Sequence, residues 1–374
     1  MTRDKKFTVV FEESGVVAEV KDTVANPTAN NFGTFTIKIK PLTLASFSIK
    51  HVAMDGQPLP NSGQRIKVTR DYKALAAVSS NVTTFTLPQP TVTPGGVPAV
   101  VNSPIQFEDP WGLTVDSATG RLYVTDVKKQ RIFGFDSELR PFLELECPKV
   151  DGKDPYPRGL VFLPEQQRLI VVAAGIGQIQ VFDASQTPKY LFPYGQGAGD
   201  AAGQFKTPRG TCLCPEGGEI AVVDTDNCRI QIYGQAGEFK RVFGEKGRDG
   251  AKLFYPASVA YRKSPAGDRQ LIVTDCDNFC VKVYNFDTGT HVHTIEQNGQ
   301  GWKFNGPSGV CVDPYLGNIF ITDYRDHSIF VFDHDLKFVT KLGVGQLNGP
   351  RGIAVDTKGR LLVADMGNHR LAVF

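Results

Sequence analysis

The stretch Pro350-Arg351-Gly352-Ile353-Ala354-Val355-Asp356 decides the fold, because related stretches recur along the chain. A turn of the form Pro-x-Gly, or a near variant, followed by alternating apolar residues occurs six times after residue 107. The six turns are Pro110-Trp111-Gly112, Pro157-Arg158-Gly159, Pro208-Arg209-Gly210, Pro256-Ala257-Ser258, Pro307-Ser308-Gly309 and Pro350-Arg351-Gly352. Successive prolines lie 43 to 51 residues apart, which is typical of one four-stranded blade per repeat. The repetition predicts a six-bladed β-propeller.

The last repeat ends at Phe374, where its third strand ends. A four-stranded last blade would need its outer strand from elsewhere in the chain, or its sheet edge would stay exposed, which is a liability. We expect residues 97–102 to supply it and close the ring, with residues 81–87 as the second candidate.

The repeats resemble NHL repeats, whose pattern is Pro-x-Gly-[Ile/Val]-Ala-Val-Asp, a strand ending in Thr-Asp, and then Asn-His-Arg-[Ile/Val]. The last repeat carries this pattern almost whole, with Val363-Ala364-Asp365 and Gly367-Asn368-His369-Arg370-Leu371 after its turn. The second repeat departs from it, with Ala173 in place of the Asp and Gln178 in place of the Arg. Recurrence of the Asp in five repeats favours a structural role, in which its carboxylate caps a loop by accepting backbone N–H groups.

A second resemblance precedes the repeats. Alternating strands at residues 32–39 and 46–52, a turn at 55–62 and a strand at 66–68 look like the second half of a filamin-type immunoglobulin repeat. We therefore expect an all-β chain. Its parts are a filamin-type β-sandwich domain at 1–75, in which residues 1–29 are short for the remaining strands, a linker at 76–96 rich in Thr, Ser, Pro and Val, and the propeller at 97–374.

Composition limits the functional classes. Lys and Arg number 41 against 39 Asp and Glu, so overall charge does not draw the chain to DNA or to a membrane surface. No stretch approaches the roughly 20 apolar residues that cross a bilayer, and we expect a cytoplasmic protein. The seven scattered cysteines predict reduced, mostly buried thiols, and neither a metal site nor a cofactor is expected.

A filamin-type domain before an NHL propeller resembles the C-terminal half of the tripartite-motif NHL proteins. In that family a RING and B-boxes with zinc-binding Cys and His clusters come first. Seven cysteines and six histidines in this pattern cannot build them. Ubiquitin-ligase activity is therefore not expected of this chain, and we do not expect an enzyme.

The candidate site lies at one end of the propeller's central channel. The middle residues of the six turns should surround the channel mouth, and the loops between the second and third strands should flank it. Basic groups interleaved with flat rings suit single-stranded or looped RNA, through phosphate contacts and base stacking. The candidate RNA-binding residues are Trp111, Lys128, Lys129, Arg158, Arg209, Phe279, Tyr324, Arg325, His327, Arg351 and His369.

Three functions remain open from the sequence. The first is an RNA-binding post-transcriptional regulator, and the resemblance implies this role because some family members repress messenger RNAs. The second is a protein-interaction platform, through the propeller or the filamin-type domain, such as the substrate-recruiting part of a ubiquitin-ligase assembly. The third is a metal-dependent lyase or lactone hydrolase, which is disfavoured because no three histidines converge by repeat position.

Overall fold

A computed structural model describes residues 105–185, 187–296 and 301–374, together with seven short strands before residue 105. The chain divides into two compact units, residues 1–75 and 76–374. Within the described residues, no helix is long and apolar enough to cross a membrane.

The first unit is described only through the backbone of six strands. They are β1 (Lys6–Phe11), β2 (Val17–Lys21), β3 (Ile37–Lys38), β4 (Ile49–Met54), β5 (Gln57–Pro58) and β6 (Val68–Thr69). Four of them form an antiparallel sheet in the order β2-β1-β4-β5, and β3 pairs with β6 in parallel. The residues that join these strands lie outside the described part, so the likeness to a filamin-type domain stays a prediction.

The second unit consists of six four-stranded antiparallel sheets, which are the blades of the propeller. The strands of the first three blades are β8 (Pro110–Val115), β9 (Leu122–Asp126), β10 (Arg131–Phe135), β11 (Pro141–Glu146), β12 (Pro157–Leu163), β13 (Arg168–Ala173), β14 (Gln178–Asp183), β15 (Lys189–Tyr194), β16 (Pro208–Cys214), β17 (Glu219–Asp224), β18 (Arg229–Tyr233) and β19 (Phe239–Phe243). Each innermost strand begins at the proline of a predicted turn and contacts the innermost strand of the next blade.

The remaining strands follow the same order. They are β20 (Pro256–Lys263), β21 (Arg269–Asp275), β22 (Cys280–Asn285), β23 (His291–Ile295), β24 (Pro307–Val312), β25 (Ile319–Asp323), β26 (Ser328–Phe332), β27 (Phe338–Leu342), β28 (Pro350–Val355), β29 (Leu361–Asp365) and β30 (Arg370–Val373). Two 3-10 turns, η1 (Cys276–Asn278) and η2 (Met366–Asn368), lie between the second and third strands of the fourth and sixth blades. Contact between β28 and β8 joins the last blade to the first and closes the ring.

The outer strand of the last blade is β7 (Thr83–Thr84), which pairs antiparallel with β30. This strand lies inside the second candidate stretch, 81–87, whose β-branched residues favour an extended backbone. The first candidate, residues 97–102, falls outside the described residues. The stretch expected to be a linker, 76–96, thus contributes a strand to the propeller.

Apolar side chains fill the space between adjacent blades. One buried cluster joins Val172 and Val181 of the second blade to Val222 and Tyr233 of the third. The side chain of Phe205 is fully buried, and its ring stacks on that of Tyr233 with the centroids 5.6 Å apart. The propeller is therefore a rigid scaffold whose loops present side chains at two opposite ends.

The recurring aspartates cap loops, as the sequence predicts. Buried Asp126 accepts the N–H groups of Glu108, Asp109 and Lys129, and Asp323 holds the loop of its blade in the same way. Asp224 and Asp365 use a side-chain donor as well, because an arginine Nε lies 2.7 Å from each.

Candidate functional site

The top face of the propeller carries the first residues of the innermost strands and the loops between second and third strands. The paired register of Pro110 with Asp126, repeated in all six blades, places both kinds of segment at the same end. We define the channel mouth as the six residues that follow these prolines. They are Trp111, Arg158, Arg209, Ala257, Ser308 and Arg351.

Glycines let the innermost strands approach closely around the mouth. A Cβ added to Gly112 would lie 2.2 Å from the carbonyl oxygen of Arg158, and one added to Gly352 would lie 2.2 Å from that of Trp111. Real atoms do not approach to that distance, so these positions need glycine for space. The glycine of the Pro-x-Gly pattern therefore allows close packing of neighbouring innermost strands, which brings the side chains of the mouth near one another.

Threonines fix the backbone of two mouth arginines. The hydroxyl of Thr125 accepts the N–H of Gly112 at 2.8 Å and donates to the carbonyl of Arg158 in the next blade at 2.6 Å. The hydroxyl of Thr322 donates to the carbonyl of Arg351 at 2.5 Å. The main chain at each of these two arginines is thus held by a side chain of the neighbouring blade.

Three guanidinium groups surround the ring of Trp111. The Cζ atoms of Arg351, Arg158 and Arg209 lie 4.4, 4.5 and 5.7 Å from the ring centroid. Such cation–π contacts stabilise a guanidinium by roughly 0.5–2 kcal/mol. Trp111, which the sequence predicts as an RNA-binding residue, therefore contacts and orders the three arginines.

Two tyrosines support the arginines from the outside. The Cζ of Arg209 lies 4.5 Å from the ring centroid of Tyr255, whose hydroxyl accepts a hydrogen bond from this guanidinium. The Cζ of Arg351 lies 4.1 Å from the centroid of Tyr324. Tyr255 holds a φ of 70°, a conformation that costs a bulky residue about 1–3 kcal/mol.

Tyr255 was not among the residues chosen from the sequence. Its only signal there is its place directly before Pro256, a position that Tyr156 shares before Pro157. The preceding residue is extended in most X-Pro sequences, so the strained conformation that aims this ring could not be anticipated.

The mouth arginines have no acidic partner. Among the described residues, none of the three guanidiniums forms an ion pair, and Nε and Nη1 of Arg158 and Nε of Arg209 are buried without a hydrogen-bond partner. Burial, followed by repulsion from Arg209, lowers the pKa of Arg158 and of Arg351 to about 10. The mouth is therefore a cluster of incompletely compensated positive charge.

Asp109 lies within electrostatic range of this cluster. Burial and the nearby Asp126 raise the pKa of the Asp109 carboxyl, while Arg351 and Arg158 act in the opposite direction. The carboxyl nevertheless makes no ion pair with an arginine in the described residues. It therefore reduces the positive potential at the mouth without forming a salt bridge to any of the three arginines.

The other basic candidates lie around the mouth and are partly engaged. Lys128 is exposed, whereas the Nζ of Lys129 lies 4.0 Å from Glu108. Arg325 lies above Tyr324 at 4.9 Å and pairs with Asp277 at 3.5 Å. Exposed ion pairs of this kind are weak, so both side chains can exchange their carboxylate for another anion.

The two histidine candidates connect neighbouring blades. The Nδ1 of His327 accepts the N–H of Gly349 at 2.9 Å, and the Nδ1 of His369 donates to the carbonyl of Glu108 at 2.5 Å. Both residues adopt the left-handed conformation, with φ near 52° and 53°. Phe279 occupies the same repeat position and is 46% exposed. Both histidines are exposed as well, but each uses a ring nitrogen in its hydrogen bond to the neighbouring blade. Of the three, Phe279 offers the freer surface to a ligand.

No metal centre stands out in the described ranges. No group of three or more His, Cys, Asp or Glu side chains could hold a metal ion there. All seven cysteines are free thiols, and burial raises the pKa of Cys276, beside the mouth, to about 11. The chemistry of the top face is thus that of fixed cations and aromatic rings.

Comparison with known proteins identifies the repeats. The NHL repeat family matches residues 107–135, 205–233, 304–332 and 347–374, which fall in the first, third, fifth and sixth blades. Residues 105–374, together with β7, thus form an all-β, six-bladed propeller with NHL repeats.

Three curated relatives share this part of the chain. It is 32% identical over 172 residues to Protein brain tumor of Drosophila melanogaster, covering 46% of this chain and 12% of that protein. It is 32% identical over 159 residues to human E3 ubiquitin-protein ligase NHLRC1, covering 41% and 37%. It is 32% identical over 147 residues to B-box type zinc finger protein ncl-1 of Caenorhabditis elegans, covering 39% and 17%. The chain thus spans well under half the length of each relative.

Solved structures agree on the fold. A gluconolactonase from Xanthomonas campestris superposes with a TM-score of 0.56 at 17% identity, over 80% of this chain and 91% of that one. Virginiamycin B lyase from Staphylococcus aureus gives a TM-score of 0.51 at 15% identity, over 72% and 86%. At this identity the likeness shows the propeller alone and carries no activity across.

Proposed function

We propose that this protein is an RNA-binding post-transcriptional regulator whose top face binds single-stranded or looped RNA. The observation that carries the proposal is the channel mouth, where Arg158, Arg209 and Arg351 surround one tryptophan without an acidic partner in the described residues. Three half-buried cations that repel one another are destabilising until an anionic ligand compensates them. An RNA backbone supplies such anions at regular spacing.

The surroundings of the mouth suit a strand whose bases are accessible. The exposed ring of Phe279 and the ring of Tyr324 flank the arginines on the fourth and fifth blades. A base stacked on an aromatic side chain contributes roughly 1–3 kcal/mol, and every base has a face that can stack. Base-paired RNA presents no such faces, so single strands and loops are favoured over duplexes.

Charge reversal at the mouth tests the proposal. The triple variant Arg158→Glu, Arg209→Glu and Arg351→Glu is compared with the native chain for binding to a pool of short RNAs, by fluorescence anisotropy at several salt concentrations. We expect native binding to weaken steeply with salt and the variant to bind at least tenfold more weakly. Unaltered affinity for every RNA in the pool would contradict the proposal.

The chain offers a matched control at the opposite end of the propeller. Arg140, Lys189 and Lys337 are exposed and lie where the outer strands begin, at the hairpins between third and fourth strands. Changing these three to Glu alters the net charge by the same amount. RNA affinity should fall much less in this control, because its charges lie away from the mouth.

A protein-interaction platform is the second candidate. Human NHLRC1, with which this chain shares 32% identity over 159 residues, is named an E3 ubiquitin-protein ligase, and the exposed Phe279 is the kind of side chain that protein interfaces use. A stable protein complex that survives nuclease treatment and salt, but is lost in Phe279→Ala, would favour this candidate over RNA.

A further inference from the structure

The channel mouth is asymmetric. Blades six, one, two and three contribute large side chains to it, whereas blades four and five contribute Ala257 and Ser308. We call the side of the mouth over Ala257 and Ser308 the gap. It adjoins a cavity of about 70 Å³ in the central channel, which all six innermost strands line and to which Arg209 and Arg351 contribute. This volume accommodates several water molecules or one small polyatomic anion.

Two arginine–tyrosine pairs flank this gap. Arg209 lies on Tyr255, and Arg351 lies on Tyr324, with Cζ-to-centroid distances of 4.5 and 4.1 Å. Stacking restricts each guanidinium plane, so little conformational entropy remains to be lost when a ligand binds. Nη1 of Arg351 also donates to the hydroxyl oxygen of Ser308 at 3.5 Å, and the O–H of this serine can itself donate to a ligand.

The donors at the mouth exceed the acceptors. Nε of Arg209, which lines the cavity, is buried without a partner in the described part of the chain. Two nitrogens of Arg158 are also without a partner there, but Arg158 does not line the cavity. Buried charged donors without an acceptor are strongly unfavourable, and the nearby Asp109 forms no ion pair with an arginine there. A ligand with several acceptor oxygens and a negative charge satisfies both requirements, whereas a metal cation would be repelled.

We propose that the gap over Ala257 and Ser308 binds one tetrahedral oxyanion of the phosphate type, held by the guanidiniums of Arg209 and Arg351 and by the Ser308 hydroxyl. Planar guanidiniums match phosphate oxygens with paired hydrogen bonds. The inference deepens the proposed function, since an RNA phosphodiester is one source of this group, and free phosphate is the other.

Calorimetry with inorganic phosphate tests the site. Titration at constant ionic strength should show saturable binding of one phosphate per chain, which sulfate should compete for. Arg351→Gln should weaken the affinity tenfold or more, because it removes a charge-assisted pair of hydrogen bonds. Ala257→Leu should do the same by filling the gap, although all three arginines remain. Arg140→Gln on the opposite face should leave the affinity unchanged.

The two sources separate in a parallel measurement with RNA. If phosphate binds in the native chain but RNA does not, the anion site stands and the RNA proposal fails. If Ala257→Leu abolishes phosphate binding but not RNA binding, the site takes free phosphate and RNA lies on the outer top face. Absence of saturable phosphate binding up to about 50 mM, far beyond the affinity expected of a preorganised site, would overturn the inference, as would equal binding by the native chain and Ala257→Leu.

Discussion

Replacing Arg351 with methionine is expected to stabilise the free protein, although it removes a large side chain from the mouth. Methionine keeps much of the aliphatic stem and its packing, but it removes a charge that burial and Arg209 both oppose. Burial and repulsion from Arg209 lower the pKa of Arg351 to about 10, and this depression corresponds to at most about 3.4 kcal/mol of unfavourable free energy. Solvent at this half-buried position reduces that figure.

The opposing loss is mainly that of two cation–π contacts, with Trp111 and Tyr324. Each cation–π contact contributes roughly 0.5–1 kcal/mol at a partly exposed site. The contacts of the guanidinium with the Ser308 hydroxyl and the Met366 sulfur, both at 3.5 Å, are long and add little. The net expectation is a gain in the free energy of unfolding of about 1 kcal/mol, measured by urea denaturation of the full chain at low phosphate. The variant should therefore be more stable but bind the ligand less tightly, as is expected where a binding site holds like charges close together.

Arg370→Met in the same blade is the matched control and should have the opposite sign. Its Nε lies 2.7 Å from the carboxylate of Asp365, which is fully buried. Losing one partner of a buried pair costs about 3–5 kcal/mol. Arg351→Met could destabilise the chain by more than about 1 kcal/mol, which exceeds what its smaller loss of packing explains. In that case a counter-charge already compensates the positive charge of Arg351, and the reasoning is wrong.

Three further predictions concern the propeller itself. Gly309→Ala should lower the free energy of unfolding by about 2–4 kcal/mol, because the added Cβ would lie 2.1 Å from the carbonyl oxygen of Arg351. The control Ser258→Ala, at the equivalent position of blade four, should be nearly neutral, and equal unfolding midpoints of the two variants would contradict this packing role of Gly309. A chain that starts at residue 105 lacks β7, so the edge of β30 is unpaired. It should unfold at a lower urea concentration than a chain that starts at residue 76, and identical unfolding curves would mean that the pairing of β7 with β30 does not stabilise the propeller. At pH 7 a thiol reagent should react slowly with the cysteines of the native chain, because burial raises the pKa of Cys276 to about 11 and of Cys280 to about 12. After unfolding, all seven cysteines should react, and rapid modification of several thiols in the folded state would refute their burial.

The repeat itself carried most of the fold prediction. Prolines at a regular spacing and a period-two apolar pattern are local signals, and they fix both the blade number and the start of every innermost strand. The outer strand of the last blade was harder, because it comes from a distant segment. Two short β-rich stretches compete for that position, and only tertiary pairing with β30 selects Thr83–Thr84.

The sequence predicted where the side chains of the candidate channel mouth lie, but not how they are oriented. Repeat register places Arg158, Arg209 and Arg351 at one mouth, and the structure brings them together around Trp111. Register does not say which way a ring points, however. The supporting role of Tyr255 depends on a strained backbone, and the engagement of His369 depends on a carbonyl in a neighbouring blade. Both are tertiary properties that single-residue patterns do not encode.

The most direct test of the central claim is to map where RNA contacts the folded chain. Short single-stranded RNAs carrying 4-thiouridine are crosslinked by light to the purified protein, and the modified residues are identified by mass spectrometry. We expect crosslinks at Trp111, Tyr255, Tyr324 and Phe279, with their loss in the triple arginine-to-glutamate variant. Crosslinks confined to the outer strands or to the opposite face would contradict the assignment of the channel mouth as the RNA-binding site.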